Sequence, residues 1–354
     1  MESKKITYHE KTDRENTRKL REVLATLPPF CRDYFRAMEP RTSAKTRISY
    51  VYDIRLFFTF LCESNPYFKK MDDITKISLS DLDKLTAIDI EEFLEYLKLY
   101  EDEKGITHTN GERGLKRKLA SLRSFYNYYF KHEMITTNPT VIVEMPKLHK
   151  REITRLDYDE VANLLDYVEH GGDEMTGMKK TYFKKNKVRN LALFTLLLGT
   201  GIRVSECVGL DLEDIDFNNN RIKIIRKGGK EDFVYFGDEV STAMYDYYVE
   251  RKEVATKPGH EHAFFLSIQK RRITVQAVED LVKDCAKHVT TVKHITPHKL
   301  RSTYGTSLYR ETGDIYLVAE VLGHNDVNTT RRHYAALDED RKRRAASAVT
   351  LRND

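Results

Sequence analysis

The helical pattern of this 354-residue chain stops between Met134 and Thr154. Asn138-Pro139 interrupts this stretch, which then ends in a run of basic residues. Asparagine–proline pairs mark turns and extended backbone rather than helix. A soluble chain of this length usually holds two domains, because single hydrophobic cores stop growing at shorter lengths. We therefore predict a domain at 41–137, a linker at 138–153 and a second domain at 154–354.

The first of these domains is predicted to be all-helical. Apolar side chains recur at helical intervals in three stretches. Residues 1–40 are polar and carry the break Leu27-Pro28-Pro29-Phe30, which predicts a leading arm or short helix followed by a turn. The three helical stretches run from Thr42 to Leu61, onward from Thr86, and from about Asn110 to Lys131.

The second domain combines helices with one β-hairpin. Apolar periodicity predicts helices at 157–168 and 187–198 and over most of the chain from Val240 onward. Between these helices, polar and β-branched side chains alternate along residues 221–226, and a Lys-Gly-Gly-Lys turn follows. Side chains alternate again along residues 232–236, which completes the pattern of a β-hairpin. The predicted fold class is therefore mainly α with a small β-hairpin or sheet, an α+β second domain.

The net charge of the chain does not by itself indicate a binding partner, so any partner must be inferred from local clusters of basic residues. Lys+Arg 60 are nearly offset by Asp+Glu 55, which leaves a net charge of only +5. The four cysteines lie far apart, without the paired spacings of a zinc site or a redox pair. The longest apolar run, Leu191 to Leu198, is too short to cross a bilayer, and the N-terminus lacks the apolar segment of a signal peptide. We expect no membrane association and a cytoplasmic protein.

Four short islands in the second domain carry side chains suited to phosphate chemistry. Each is weak alone, because an arginine after a glycine turn or a lysine in a hairpin turn is most often an ordinary surface group. The islands contain Arg203 with Glu206, then Lys227, then His298 with Arg301, and finally His324 followed by His333 and Tyr334.

Together the islands supply what phosphodiester exchange without a metal requires. Guanidinium groups grip non-bridging phosphate oxygens and stay charged, and Arg203 and Arg301 fit that role. His298 lies one helical turn before Arg301 and can address the same phosphate. Lys227 can protonate the leaving 5′ oxygen, and Tyr334 can act as the covalent nucleophile.

The sequence predicts neither a metal site nor a cofactor. The acidic residues near the islands form no obvious pair for two-metal catalysis, and the histidines lack the zinc spacing around a glutamate. Arginines can stabilise the transition state in place of the ions, and His324 adds a further donor.

These islands resemble the Arg, Lys, His-x-x-Arg, His/Trp and Tyr signature of the tyrosine recombinase family, which includes the lambda-type integrases and the Xer recombinases. The resemblance is to Xer-like members or mobile-element integrases, and it implies a C-shaped DNA clamp made of a helical (SAM-like) core-binding domain and a catalytic domain. His324 and Tyr334 are ten residues apart where we expect nine in most Xer proteins, so His333 stays an alternative site residue. The implied catalytic set is Arg203, Lys227, His298, Arg301, His324 and Tyr334, with Glu206 in support.

Basic side chains lie in both predicted domains and in the linker. Any one run is equally well explained as a solvated helix face, but together they form a plausible footprint for the phosphates of double-stranded DNA. Helix 115–129 is expected to read bases in the major groove. The predicted DNA-binding residues are Lys116, Arg117, Lys118, Lys147, Lys150, Lys184, Lys185, Arg271 and Arg272.

The tail from Asp338 is a candidate helix, first basic and then apolar. The resemblance implies that this tail docks on a neighbouring protomer in a homotetramer on DNA, and packing on its own subunit is the alternative.

The implied function is site-specific recombination through a covalent 3′-phosphotyrosine intermediate, for integration or excision of a mobile element, in the cytoplasm of a bacterium at its nucleoid. The alternatives are Xer-type chromosome dimer resolution, a type IB topoisomerase, and a non-catalytic DNA-binding protein derived from an integrase.

Overall fold

The computed structural model describes residues 7–102, 104–149, 154–226, 229–324 and 327. The chain divides into two compact units after residue 151, inside the predicted linker. None of the described helices is both long enough and apolar enough to span a membrane. All four cysteines are free thiols, and burial raises the pKa of Cys285 to about 12.

The first unit is built from helices around an aromatic core. Phe58, Phe125 and Tyr129 are fully buried, and their rings meet edge to face with centroids 6.0 and 5.0 Å apart along the series. Such pairs add to the free energy gained from apolar burial. The elements are α1 (Tyr8–Leu24), α2 (Cys31–Met38), α3 (Ala44–Ser64), α4 (Leu79–Leu82), α5 (Ala87–Tyr96), β1 (Leu99–Glu101), β2 (Thr107–Thr109) and α6 (Glu112–Lys131).

Two sequence expectations for this unit are wrong. The first half is not all-helical, because β1 and β2 pair antiparallel, with Tyr100 opposite His108. Residues 7–40 do not form a separate arm, and the alternative of a helix followed by a turn applies instead. Helix α1 packs on α3, and Leu20, Val23 and Cys31 belong to the core of the unit. Apolar burial along one face of α1 gives the physical reason, since the helix would otherwise expose those side chains to water.

The predicted linker begins as part of the first unit. Val143 is buried in its core, and Arg123 of α6 donates through Nε to the Thr140 carbonyl at 2.9 Å and through Nη2 to the Val143 carbonyl. The first residues of the stretch 138–153 are therefore fixed to α6, and Pro139–Val141 form a 3₁₀ turn instead of the extended backbone that was expected.

The second unit places a small antiparallel sheet beside a set of helices. Its central helix, α8, starts ten residues earlier than the predicted 187 and is buried along the run from Ala192 to Leu197, which is apolar except for Thr195. Helices α7, α10 and α12 pack against α8. The elements are α7 (Tyr158–His170), α8 (Gly177–Thr200), α9 (Val204–Gly209), β3 (Ile215–Asp216), β4 (Arg221–Ile225), β5 (Glu231–Tyr235), α10 (Asp238–Lys252), α11 (Val275–Ala286), α12 (Pro297–Thr312) and α13 (Ile315–Val321).

The predicted β-hairpin is confirmed and gains a third strand. β4 pairs antiparallel with β5, with Ile222 opposite Val234, and β3 pairs with the other edge of β4. The mainly helical fold class with a small sheet is thus confirmed.

Candidate active site

Arg203 stands at the junction of α8 and α9. Helix α8 ends at Gly201, which adopts φ +61°, and the chain turns so that Arg203 is the residue before the first turn of α9. A Cβ at Gly201 would lie 2.4 Å from the Tyr304 ring, so both the left-handed backbone and the close packing require glycine here. The glycine turn therefore fixes where Arg203 points.

Glu206 holds Arg203 from the protein side. The backbone N–H of Arg203 donates to Glu206 Oε2 at 2.8 Å, and Arg203 Nη1 donates to Oε1 at 2.8 Å. Glu206 is 4% exposed, whereas the Arg203 side chain is 35% exposed. The buried carboxylate of Glu206 thus orients a guanidinium that still reaches the surface, and its supporting role in catalysis stays a prediction.

Arg301 is the buried counterpart. It lies on α12, which begins with Pro297 at its first position, and it is 4% exposed. Its Nη1 donates to the Gly201 carbonyl at 2.5 Å, and its Nη2 donates to the Leu322 carbonyl. A buried cation is tolerated when carbonyl dipoles satisfy its donors.

The turn after α13 brings these arginines together. Arg203 Nη2 donates to the Gly323 carbonyl at 3.0 Å, one residue after the carbonyl that Arg301 holds. His324 follows directly, and its backbone N–H donates to the Ala319 carbonyl at 2.9 Å, which closes the turn. The structure thus places Arg203, Arg301 and His324 at one locus although 121 residue positions separate the first from the last.

His298 lies in the first turn of α12, three residues before Arg301, and is exposed. The same helix carries Tyr304, which packs against Gly201 and whose phenol has its pKa raised by burial. A raised pKa disfavours the phenolate form of Tyr304. Lys227, Tyr334 and His333 lie outside the described residues.

Arg226 is a site residue that the sequence analysis missed. Its side chain is 9% exposed and reaches the same turn, where Nη2 donates to the Val321 carbonyl at 3.0 Å and Nη1 to the Leu322 carbonyl at 3.3 Å. Its position directly before Lys227 in a predicted hairpin was visible in the sequence, but its partners lie 95 and 96 residues away. Only the fold reveals that contact.

The predicted DNA-binding residues fall into two groups. Lys118 is buried with Nζ 3.2 Å from Asp53, a carboxylate that also binds Arg117 Nη2 at 2.8 Å. Arg272 donates to the carbonyls of Val208 and Leu210 at 2.8 Å. These bonds hold the fold together, so we do not carry Lys118 and Arg272 forward as DNA contacts. The other exposed or partly exposed members are Lys116, Arg117, Lys147, Lys184, Lys185 and Arg271, and Lys150 lies outside the described residues.

Within the described ranges, histidine, cysteine and acidic side chains form no group of three or more that could hold a metal ion.

Comparison with known proteins agrees with this geometry. Residues 154–341 match the phage integrase family. The chain is similar to the tyrosine recombinase XerC of Caldanaerobacter subterraneus subsp. tengcongensis, with 35% identity over 326 residues that cover 90% of this chain and 85% of the relative. It is also similar to the tyrosine recombinase XerS of Lactococcus lactis subsp. cremoris, with 30% identity over 353 residues that cover 93% and 96%.

The fold itself resembles that of XerH site-specific recombinase in its post-cleavage complex with a palindromic difH substrate. The TM-score is 0.58 at 19% identity, over 82% of this chain and 75% of that one. Family match, full-length relatives and fold point the same way, and the chain belongs to the phage integrase family as an Xer-like tyrosine recombinase, a site-specific DNA recombinase.

Proposed function

We propose that this recombinase exchanges DNA strands through a 3′-phosphotyrosine link formed by Tyr334. The phenol oxygen attacks the scissile phosphorus and passes its proton to His298, the residue that the resemblance implies as general acid and base. The bond from phosphorus to the 5′ oxygen breaks, and Lys227 gives that oxygen a proton. The 5′ hydroxyl of a partner strand then attacks the phosphotyrosine and returns its proton to Lys227, while His298 protonates the departing phenol. The number of phosphodiester bonds is conserved, so the exchange needs no external energy source.

The observation that carries this proposal is the convergence of Arg203 and Arg301 on one turn. Both guanidiniums are held in place by carbonyls or a carboxylate before any DNA is bound. Charged donors that are already oriented stabilise the developing charge of a phosphoryl transition state without reorganisation. His298 and His324, one on the same helix and one on the same turn, supply further donors to the phosphate.

The proposed partner is double-stranded DNA with specific recombination sites. The exposed basic residues Lys147, Lys184, Lys185 and Arg271 support contacts to duplex phosphates, which fix position rather than sequence. Assembly as a homotetramer through exchange of the tail after Asp338 remains part of the proposal, because that tail lies outside the described residues. The C-shaped clamp and action at the nucleoid of a bacterial cytoplasm are likewise parts of the proposal.

Two biological roles fit this chemistry. The likeness to XerS runs along nearly the whole of both chains and favours the Xer-type role, chromosome dimer resolution. Integration or excision of a mobile element is the second candidate, favoured by the unusual ten-residue step from His324 to Tyr334.

The test is the formation of a covalent protein–DNA adduct. Wild type, Tyr334→Phe and the control Tyr316→Phe, which alters a 71% exposed tyrosine, are incubated without metal with DNA flanking the gene and with chromosomal fragments. We expect SDS-resistant adducts from wild type and Tyr316→Phe and none from Tyr334→Phe. Sequencing the trapped DNA identifies the target and separates the two roles.

The chemistry of the link checks the nucleophile independently. A phosphotyrosine survives mild acid, whereas a phosphohistidine hydrolyses, so an acid-labile adduct would transfer the role to His333. If wild type binds the DNA pool and forms no adduct, the protein is a non-catalytic DNA-binding protein.

A further inference from the structure

One guanidinium joins three parts of the second unit. Arg226 follows β4 and donates through Nε to Asp232 Oδ2 on β5 at 3.0 Å. The two other nitrogens of its fork bind the last carbonyls of α13, at Val321 and Leu322. Its Nη1 also lies 3.6 Å from Glu206 Oε2, the carboxylate that orients Arg203.

The contact requires both an arginine and a glycine. A planar fork with five donors can face a carboxylate and two carbonyls at once, which the point charge of a lysine cannot do. The cation also lies at the C-terminal end of a helix, where the backbone dipole favours positive charge. A Cβ at Gly323 would come 2.7 Å from the Arg226 guanidinium carbon, so the turn approaches this closely only with glycine there.

Arg226 thereby connects two catalytic elements by one side chain. Its backbone N–H donates to the Lys230 carbonyl at 2.8 Å and its carbonyl accepts from Gly229 at 3.1 Å, so Arg226 forms the base of the hairpin turn that contains Lys227 in the sequence. On the other side it holds the turn that ends in His324. Any displacement of the hairpin relative to that turn must break these hydrogen bonds.

We propose that Arg226 is a positioning residue for proton donation to the leaving 5′ oxygen. It ties the base of the β4–β5 hairpin, from which the sequence continues directly into Lys227, to the turn that presents the phosphate-binding side chains. The inference rests on the proposed function, in which Lys227 is the general acid. Arg226 itself touches no reacting atom in this account.

The test replaces the leaving oxygen by sulfur. A DNA duplex with a bridging 5′ sulfur at the mapped cleavage position releases a thiolate, whose conjugate acid has a pKa of about 8.5 in cysteine, so departure needs no proton donor. Single-turnover cleavage of the oxygen and sulfur duplexes is measured for wild type, Arg226→Ala, Lys227→Ala and the control Arg221→Ala. Arg221 lies at the start of β4, the strand that Arg226 follows, and pairs with Asp216 at 2.9 Å.

We expect Arg226→Ala to cleave the oxygen duplex about 100-fold more slowly than wild type, the usual consequence of a misplacement near 1 Å in an active site. On the sulfur duplex its rate should return close to that of wild type, as should that of Lys227→Ala. DNA affinity should not change, and Arg221→Ala should behave as wild type on both duplexes.

The outcomes separate the two proposals. If Lys227→Ala recovers on sulfur and Arg226→Ala stays slow, Arg226 acts on the phosphate-binding arginines or on folding, and the positioning role is overturned. If Lys227→Ala itself does not recover, the general-acid assignment fails and the role inferred for Arg226 fails with it. Should Arg226→Ala not fold, Arg226→Lys and Asp232→Asn, which keep part of the contact, carry the same comparison with smaller defects.

Discussion

Glu206 is a buried carboxylate between two arginines. Its oxygens accept from the backbone and side chain of Arg203, and Arg226 Nη1 lies within ion-pair distance. In Glu206→Gln the negative charge is lost, and the NH₂ group of the amide faces an N–H donor of Arg203 that then lacks its acceptor. Removing one partner of a buried ion pair typically costs about 3–5 kcal/mol, so we expect a loss of that order in the free energy of unfolding.

Urea denaturation measures this loss, with Glu213→Gln as the control. Glu213 pairs with His262 at an exposed position, where an ion pair contributes about 0–1 kcal/mol. An equal loss in the free energy of unfolding for the two substitutions would show that Glu206 stabilises the fold no more than an exposed ion pair does. A variant of Glu206 that folds normally and still cleaves DNA at the wild-type rate would show that Arg203 needs no support.

Single residues differ in how far the sequence reveals them. Arg203, His298 and Arg301 could be proposed as site residues from the sequence because each belongs to a local pattern, a glycine turn or a helix start, that is recognisable over a few positions. Arg226 was not, since its role depends on carbonyl groups 95 and 96 residues later. Lys118 shows the opposite case. A run of basic residues predicts side chains exposed to solvent or to DNA, but Lys118 is buried and pairs with Asp53.

At the scale of elements, the turn after α13 depends on Gly323. This residue has φ +59°, and a Cβ would collide with the Arg226 guanidinium. We expect Gly323→Ala to slow DNA cleavage by about 100-fold, because either the turn or the Arg226 guanidinium must shift by about 1 Å and their contact is lost. Gel assays of cleavage and of DNA binding with the same duplex distinguish lost chemistry from lost affinity.

The matched control is Gly259→Ala. Gly259 also has a positive φ, +83°, but a Cβ there meets nothing within 4 Å. Backbone strain alone costs about 1–2 kcal/mol at either site. Slow cleavage by both variants would therefore attribute the defect to strain instead of collision.

Short strands set the limit on predicting elements from sequence. The β4–β5 hairpin was recognisable because five-residue strands alternate on both sides of a glycine turn. The three-residue strands β1 and β2 carry too few positions to show alternation, and side-chain contacts help to define them instead: Tyr96, Tyr100 and His108 stack with ring centroids 5.2 and 5.1 Å apart. The rings come together only once the two strands are paired, so the sequence alone does not reveal this stacking.

At the scale of the molecule, each unit has a core of its own. The buried cluster of the first unit runs from Leu20 to Val143 and contains no residue of the second. We therefore expect Leu20→Ala, at a 4% exposed position, to destabilise the first unit by about 2–5 kcal/mol and to leave the second unchanged. Hydrogen exchange read by mass spectrometry, peptide by peptide, reports the two units separately.

The control Ile88→Ala alters a 65% exposed side chain of the first unit and should change neither. Faster exchange in both units of the Leu20 variant would show that they unfold as one cooperative block. The boundary at residue 40 drawn from the sequence would then matter even less, because the N-terminal helices would support the whole molecule.

The arginines at the α13 turn bind main-chain carbonyls at Val321, Leu322 and Gly323. Every amino acid offers the same carbonyl. Except at Gly323, the contacts of the three arginines therefore depend on the number of residues between the end of α12 and His324 and not on their identity. At Val321, substitutions that respect packing should leave the contacts intact, while one inserted or deleted residue would present a different carbonyl to each guanidinium. The turn therefore accepts substitutions at Val321 but not an insertion or a deletion.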